Sequence, residues 1–366
     1  MHGLSIIIPV YKNSPHLEGL LNSLKNDPYP HKEIIVVIDD PDEQAAQLPS
    51  THTSAQFIIN KERIGKANAL NQAAATTVYD YLLFIDSDIL ITQNNFLEPI
   101  VEALQHHELV DIKKQVVRDS LLANLVSYDY LSSSMVNHFF IKFLNRTPQI
   151  NGSAFAIRKN VFEELGGFNR VICEDLDLAF RAYTAGIDFG YPPDTAVHNV
   201  VDPSLTQWLK QRRRWALGFG EWFNNHLGEF LTSITREPAA FTVALLILFP
   251  SSPLIILGWL IPDALILKLL SLALMLLSTF QIYLTPTILV VYLFTFFARS
   301  LISTLSSCFA SCVFFYWASR KLKYPFNLLE FSLYYFIYNP IWLLFCLLSI
   351  FIVALHRNDF DLDWKV

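Results

Sequence analysis

The feature that most constrains this chain is a shortage of charge. From Ala239 to Ser319 the only charged residues are Asp263, Lys268 and Arg299, and from Tyr324 to Leu355 the only one is Glu330. Runs this long and this apolar have no place in a water-soluble core. A bilayer core of ~30 Å takes ~20 apolar residues in helix. With no water to satisfy backbone groups, such segments must be helices or a closed barrel, and their length favours helices. The expected spans are Ala239 to Ile261, Ala264 to Leu284, Thr287 to about Trp317, and Phe331 to Leu355.

Met1 to Pro238 reads differently, mixing charges, turn residues and short apolar runs as an α/β domain does. The boundary is expected near Glu237 and Pro238. The domains expected are therefore 1–200, an α/β region; 201–238, interfacial helices; 239–355, three or four transmembrane helices; and 356–366, a polar tail. The first run, "LSIIIPVY", is rich in β-branched residues and has no basic segment before it, so neither a signal peptide nor an N-terminal anchor is expected. A net charge of −6 argues against nucleic acid as a partner. Cys173, Cys308, Cys312 and Cys346 show no zinc or redox spacing in the N-terminal part, and disulfides are not expected.

Along the N-terminal part, "LSIIIPVY", a helical pattern from Pro15 to Lys25, and "KEIIVVIDD" read as strand, helix, strand with a parallel crossover. "QFIIN", a helix beginning near Gly65 and "YDYLLFIDSDIL" continue the alternation, which implies a doubly wound, mostly parallel sheet. Ligands of such sheets gather at the carboxyl ends of the strands, where Tyr11, Asp39, Asp40, Asp86 and Asp88 fall. In "IDSD", Asp86 and Asp88 are two apart, so in extended chain both carboxylates can reach one hard cation. The same spacing also marks a solvated turn or helix cap. "VICEDLDLAFRAYTAG" sets Glu174 and Asp175 at the start of a helix stopped by Gly186, a pattern that equally serves the helix dipole. In "QWLKQRRRWALGFG", helical spacing puts Gln211, Arg214 and Trp215 beside one pocket. Arg212 and Arg213 point elsewhere, toward lipid head groups.

In order, "SIIIPVYKN", "IIVVIDD", "RIGKANALN", "LLFIDSDI", "GSAFAIRKNVFEELGGF", "CEDLDLAFRAYTAGIDFGYPPDTAVHN" and "QRRRW" resemble the family 2 inverting glycosyltransferases. They are most similar to the membrane-integrated branch of cellulose, chitin and hyaluronan synthases and ceramide glucosyltransferases. The resemblance runs from about Leu4 to Trp215. It implies a nucleotide-sugar-binding domain of GT-A type followed by transmembrane helices. It also implies that Asp39 or Asp40, with Pro9 and Tyr11, holds the nucleoside end of the donor. Asp88, with Asp86, would bind Mg²⁺ or Mn²⁺ on the diphosphate, and Asp86 and Glu174 would lie close to the donor. Asp175 matches the catalytic base. Gln211, Arg214 and Trp215 match the Q-x-x-R-W signature of the diphosphate and acceptor sugar. The usual Asp-Asp-Gly-Ser turn is "DDPDE" here, and Cys173 stands where the family has threonine. Lys66 is a second candidate for phosphate or a surface lysine. His198 is a candidate third metal ligand or a loop histidine.

The function implied is transfer of a sugar from a nucleoside diphosphate, UDP by expectation, to a growing β-linked polysaccharide. Alternatives are a single transfer making a glycolipid, on a polyprenyl-phosphate, ceramide or diacylglycerol-type acceptor, and a non-catalytic sugar-binding membrane protein. Expected partners are the donor, a carbohydrate or lipid acceptor, and membrane lipids. The expected location is the cell membrane, multi-pass, with the catalytic domain in the cytoplasm.

Overall fold

The computed structural model describes residues 3–192, 194–251, 268–269, 272–273, 275–277, 279–280 and 288–355. Two compact units divide the chain: residues 1–241 with 342–366, and residues 242–341.

In the first unit the alternation read from the sequence is present: β1 (Leu4–Tyr11), α1 (Leu17–Asn26), β2 (Lys32–Asp39), a short α2 (Leu48–Thr51), β3 (Gln56–Asn60), α3 (Lys66–Thr76) and β4 (Tyr81–Ile85). There follow β5 (Ile89–Leu90), α4 (Leu97–His106), β6 (Leu109–Asp111), β7 (Lys113–Val116), α5 (Leu121–Leu144), β8 (Ala154–Arg158), α6 (Lys159–Glu164), α7 (Glu174–Ala185), β9 (Phe189–Gly190), β10 (Ala196–Asn199) and α8 (Leu205–Arg236). The main sheet has the order β3-β2-β1-β4-β8-β6-β9. β1, β2, β3 and β4 run parallel, as does the β6–β9 pair.

The sheet is mostly parallel, as expected, with one exception: β8 runs antiparallel to both β4 and β6. A second sheet, β5-β10-β7, forms beside it, and its two-residue strand β5 is too short to announce itself in sequence.

Both faces of the main sheet are buried, and period-2 alternation divides each strand between two cores. Ile6, Ile8, Val36, Ile38, Leu83 and Ile85 pack with α1 and α4, while Ile7, Ile35, Val37, Leu82 and Phe84 pack with α3 and α7. Strands β1 and β2 end in register, Tyr11 opposite Asp39, and Asp39 lies opposite Asn60 of β3. The carboxyl edge of the sheet thus collects the ends of β1 to β4.

Beyond α8 the helix breaks at Glu237, and α9 (Pro238–Leu248) departs at 110° to it. Among the described residues, two helical stretches, Phe294–Lys321 and Leu328–Leu355, are long and apolar enough to cross a membrane, or three if the bent pair α8–α9 counts as one span. Within Leu328–Leu355 a π-helical turn at Tyr334–Tyr338 precedes Pro340, whose missing N–H an unbroken α-helix would feel. In the second unit, buried polar groups find partners. Ser307 Oγ lies 2.7 Å from Tyr335 Oη, and Asn339 Nδ2 donates to the Leu248 carbonyl at 2.9 Å. Of the span expected from Ala264 to Leu284 only residues 268–269, 272–273, 275–277 and 279–280 are described, and the part of the first span beyond residue 251 and the tail 356–366 lie outside the described residues.

Candidate functional site

At the carboxyl edge, Asp39 is buried and its carboxylate is used by its own chain. Oδ2 accepts from the backbone N–H groups of Ile64 (3.2 Å) and Gly65 (2.8 Å), and Oδ1 accepts from Asn60 Nδ2 (2.9 Å). Gly65, at φ +87°, takes the left-handed turn that starts α3 and delivers Lys66 to the cleft. Asp40 is half-buried with a left-handed backbone, φ +52°. Tyr11 is exposed, and the Arg63 guanidinium stands 4.0 Å from its ring centroid, a cation–π pair that sequence reading missed.

Lys66 is no idle surface lysine. Its ammonium lies 2.8 Å from Asp86 Oδ1 and 3.0 Å from Glu174 Oε1. Burial alone would lower the Lys66 pKa, but the two carboxylates outweigh it and the net shift is upward. Burial pushes the Glu174 carboxyl up, against the pull of Lys66. Pro9, Lys66, Asp86, Gly152 and Glu174 line one small pocket whose floor includes Phe84, Phe155 and Phe168. Asp88, two residues beyond Asp86, is exposed.

Asp175 opens α7 one residue after Glu174 and is half-buried. Its Oδ1 accepts from the Leu176 N–H (2.8 Å), and its Oδ2 accepts from the Gly152 N–H (2.6 Å). The loop carrying Gly152 also meets the D-x-D strand, where the Asp86 N–H donates to the Ser153 carbonyl at 2.9 Å. One loop therefore touches both acidic motifs.

Helix α8 packs on the start of α7, where Cys173 Sγ lies 3.8 Å from the Trp215 carbonyl. Burial, with the Asp175 and Glu174 charges, pushes the Cys173 thiol well up, while Arg214 pulls it down, so Arg214 and the acidic pair act on the same sulfur. Gln211 and Arg214 are exposed and Trp215 is half-buried. Arg212 corrects the sequence reading. It is 3% exposed, pairs with Asp129 Oδ2 at 2.7 Å, and lies 4.8 to 5.5 Å from the rings of Trp208, Trp215 and Trp342. It faces protein, not head groups, because α5 and the Asn339–Leu355 helix cover that side of α8; only Arg213 of the two remains exposed.

His198 sits on β10 opposite Leu90, two residues past Asp88, with Nδ1 buried and without a hydrogen-bond partner among the described residues. Burial and Lys113 lower its pKa. Among the described residues no group of three or more His, Cys, Asp or Glu side chains could hold a metal ion. Asp86 and Asp88 supply two hard oxygen donors on one edge, which suits Mg²⁺ or Mn²⁺ only if phosphate oxygens and water complete the shell.

Residues 5–166 match the family described as Glycosyl transferase family 2. Two curated relatives are the Poly-beta-1,6-N-acetyl-D-glucosamine synthases of Staphylococcus aureus (strain COL), 26% identical over 237 residues, and of Staphylococcus epidermidis, 22% identical over 232 residues. Each match covers 60% of this chain and 55% of the relative, so the chain spans about half the length of the curated relatives it matches. Among solved structures, the mannosyltransferase PcManGT from Pyrobaculum calidifontis in complex with GDP-Man and Mn²⁺ aligns over 84% of this chain and 87% of that one. The TM-score is 0.50 at 20% identity, a likeness of fold.

Proposed function

We propose that this chain, whose residues 5–166 form a glycosyltransferase family 2 domain, is a membrane-bound inverting enzyme that moves a sugar from a UDP donor to a growing β-linked polysaccharide. The observation that carries the reading is the loop Asn151–Ser153, which hydrogen-bonds to Asp175 through Gly152 and to the Asp86 backbone through Ser153. A base and a diphosphate-binding strand are thereby joined rigidly. The polysaccharide acceptor is supported by the likeness to poly-beta-1,6-N-acetyl-D-glucosamine synthases.

Inversion needs one displacement at the anomeric carbon. An acceptor hydroxyl attacks as the nucleoside diphosphate leaves, and Asp175, held by two backbone N–H groups, takes the hydroxyl proton. Lys66 offsets one of the two negative charges of Asp86 and Glu174, which lessens their repulsion of an incoming diphosphate. Arg214, on the exposed face of α8, offers a planar fork to the departing phosphate oxygens. Trp215 provides a flat face for the acceptor ring. Asp88 and Asp86 would hold Mg²⁺ or Mn²⁺, which supplies neutralising charge to the diphosphate when bound. Tyr11, Arg63 and the turn at Asp39 and Asp40 would hold the nucleoside end.

The catalytic face is cytoplasmic, where nucleotide sugars are made, and the two or three apolar helices hold it to the membrane. The test is product formation by the purified chain in lipid, with Mn²⁺ and a panel of UDP-sugars beginning with UDP-N-acetylglucosamine, sized by mass spectrometry. A ladder of β-linked products is expected. A single glycolipid species would move the chain to the one-transfer class, and donor binding without transfer would make it a sugar-binding protein.

A further inference from the structure

Beneath the cleft lies an ion pair that the mechanism does not use. Lys114 on β7 and Asp111 on β6 are paired, and both are about as buried as residues become, at 3% exposure each. Asp111 Oδ2 also accepts from Asn137 Nδ2 of α5 at 2.8 Å, and the backbone N–H of Asn151 lies near enough to the Asp111 carboxylate to favour its charged form. Asn137, fully buried, accepts in turn from Thr147 Oγ1 at 2.9 Å. Both ends of the segment Thr147–Ser153 are thus tied to this network. Inside the segment, Asn151 Oδ1 accepts from Ser153 N (3.0 Å) and Ser153 Oγ (2.8 Å), fixing the loop on itself.

A buried ion pair is a poor way to stabilise a fold, since desolvating two charges offsets most of their attraction and apolar residues of similar size often serve as well. Its value is more readily sought in geometry. Here the groups it holds are the N–H of Asn151 and, one residue on, the Gly152 N–H that bonds Asp175 and the Ser153 carbonyl that receives the Asp86 N–H.

We propose that Asp111, paired with Lys114, is a positioning residue for glycosyl transfer: it anchors the Asn151–Ser153 loop and thereby sets the place of Asp175 relative to the D-x-D strand. Neither Asp111 nor Lys114 touches substrate. The inference rests on the reading of Asp175 as the base. A misplacement of ~1 Å at a reacting group costs ~10²-fold in rate, so a slack loop slows the chemical step without loosening the donor.

The test uses the full chain in lipid with UDP-N-acetylglucosamine and Mn²⁺, or whichever donor of the panel is turned over fastest. Asp111→Leu with Lys114→Met removes the pair by apolar replacement. Expected are a melting temperature lowered by no more than the loss of the buried Asn137 hydrogen bond, donor KM within ~3-fold, and kcat lower by ~10- to 10²-fold. Asp111→Asn with Lys114→Met keeps an acceptor oxygen for the Asn151 N–H while abolishing both charges, and most of kcat should return. Wild-type kcat in the first variant overturns the proposal, as does equal loss in both. Should the Leu/Met variant fail to fold, Thr147→Val frees the far end of the same segment, and a several-fold fall in kcat at constant donor KM is expected. Wild-type kcat there also overturns it. Asp175→Asn, run alongside, separates the two readings. Transfer surviving in Asp175→Asn removes the assignment of the base, whereas loss there with full activity in the Leu/Met variant removes only the positioning role.

Discussion

The backbone N–H of Gly152 donates to Asp175 Oδ2 at 2.6 Å, and a β-carbon built on Gly152 would stand 2.7 Å from that same oxygen. The glycine is there because the carboxylate occupies the space a side chain would need. Gly152→Ala should therefore displace Asp175 and lower kcat by ~10²-fold, with donor affinity little changed and the fold retained. Steady-state kinetics with calorimetric donor titration checks it; a variant with normal kcat would unseat Asp175 as the base.

Metal dependence should reside in Asp88. Asp88→Ala is expected to abolish transfer and weaken donor binding, and excess EDTA should silence the wild type, because an unneutralised diphosphate is a poor leaving group. Full activity in EDTA would refute this.

The three adjacent arginines should separate into three phenotypes. Arg214→Lys keeps the charge but loses the planar fork, and turnover should fall by ~10²-fold. Arg212→Ala leaves Asp129 without its ion pair among apolar rings and should cost about 3 kcal/mol of stability. Arg213→Ala, at an exposed position, should alter only lipid attachment. Turnover and melting temperature of the three variants in the same lipid decide it, and equal losses at all three would contradict the burial pattern.

Lys66→Met should give a deficit that depends on pH. The Glu174 carboxyl already titrates above its ordinary value through burial, and losing Lys66 raises it further. A carboxyl raised in the folded state stabilises it below the unfolded pKa, and that benefit is lost as pH rises through the folded pKa. The melting-temperature gap between wild type and Lys66→Met should thus be small near pH 4 to 5 and widen toward neutrality. A gap independent of pH would mean that Lys66 is held for other reasons.

How much of this was legible in the sequence differs by element. β1, β2 and β4 could be read because each is a short β-branched run bounded by turn residues, and α7 because Gly186 stops it in the left-handed conformation. The acidic motifs could be placed at the carboxyl edge because alternating strands and helices put strand ends there. The antiparallel turn of β8 could not be read, since "AFAIR" has the same composition whichever way it runs. Nor could the fate of Arg212. Spacing along α8 separates it from Gln211, Arg214 and Trp215, but only the packing of α5 and the C-terminal helix decides that its side of α8 is buried.

By itself the sequence determined which segments are apolar enough for a bilayer, where the sheet lies, and which acidic and basic residues gather at its edge, since period and hydropathy are properties of neighbours along the chain. Only the tertiary structure decided that Lys66 bridges Asp86 and Glu174, that Gly152 seats Asp175, and that Lys114 and Asp111 are buried beneath the loop between them. Those are contacts between residues tens of positions apart. Their existence depends on which elements pack together, and no local pattern along the chain encodes that.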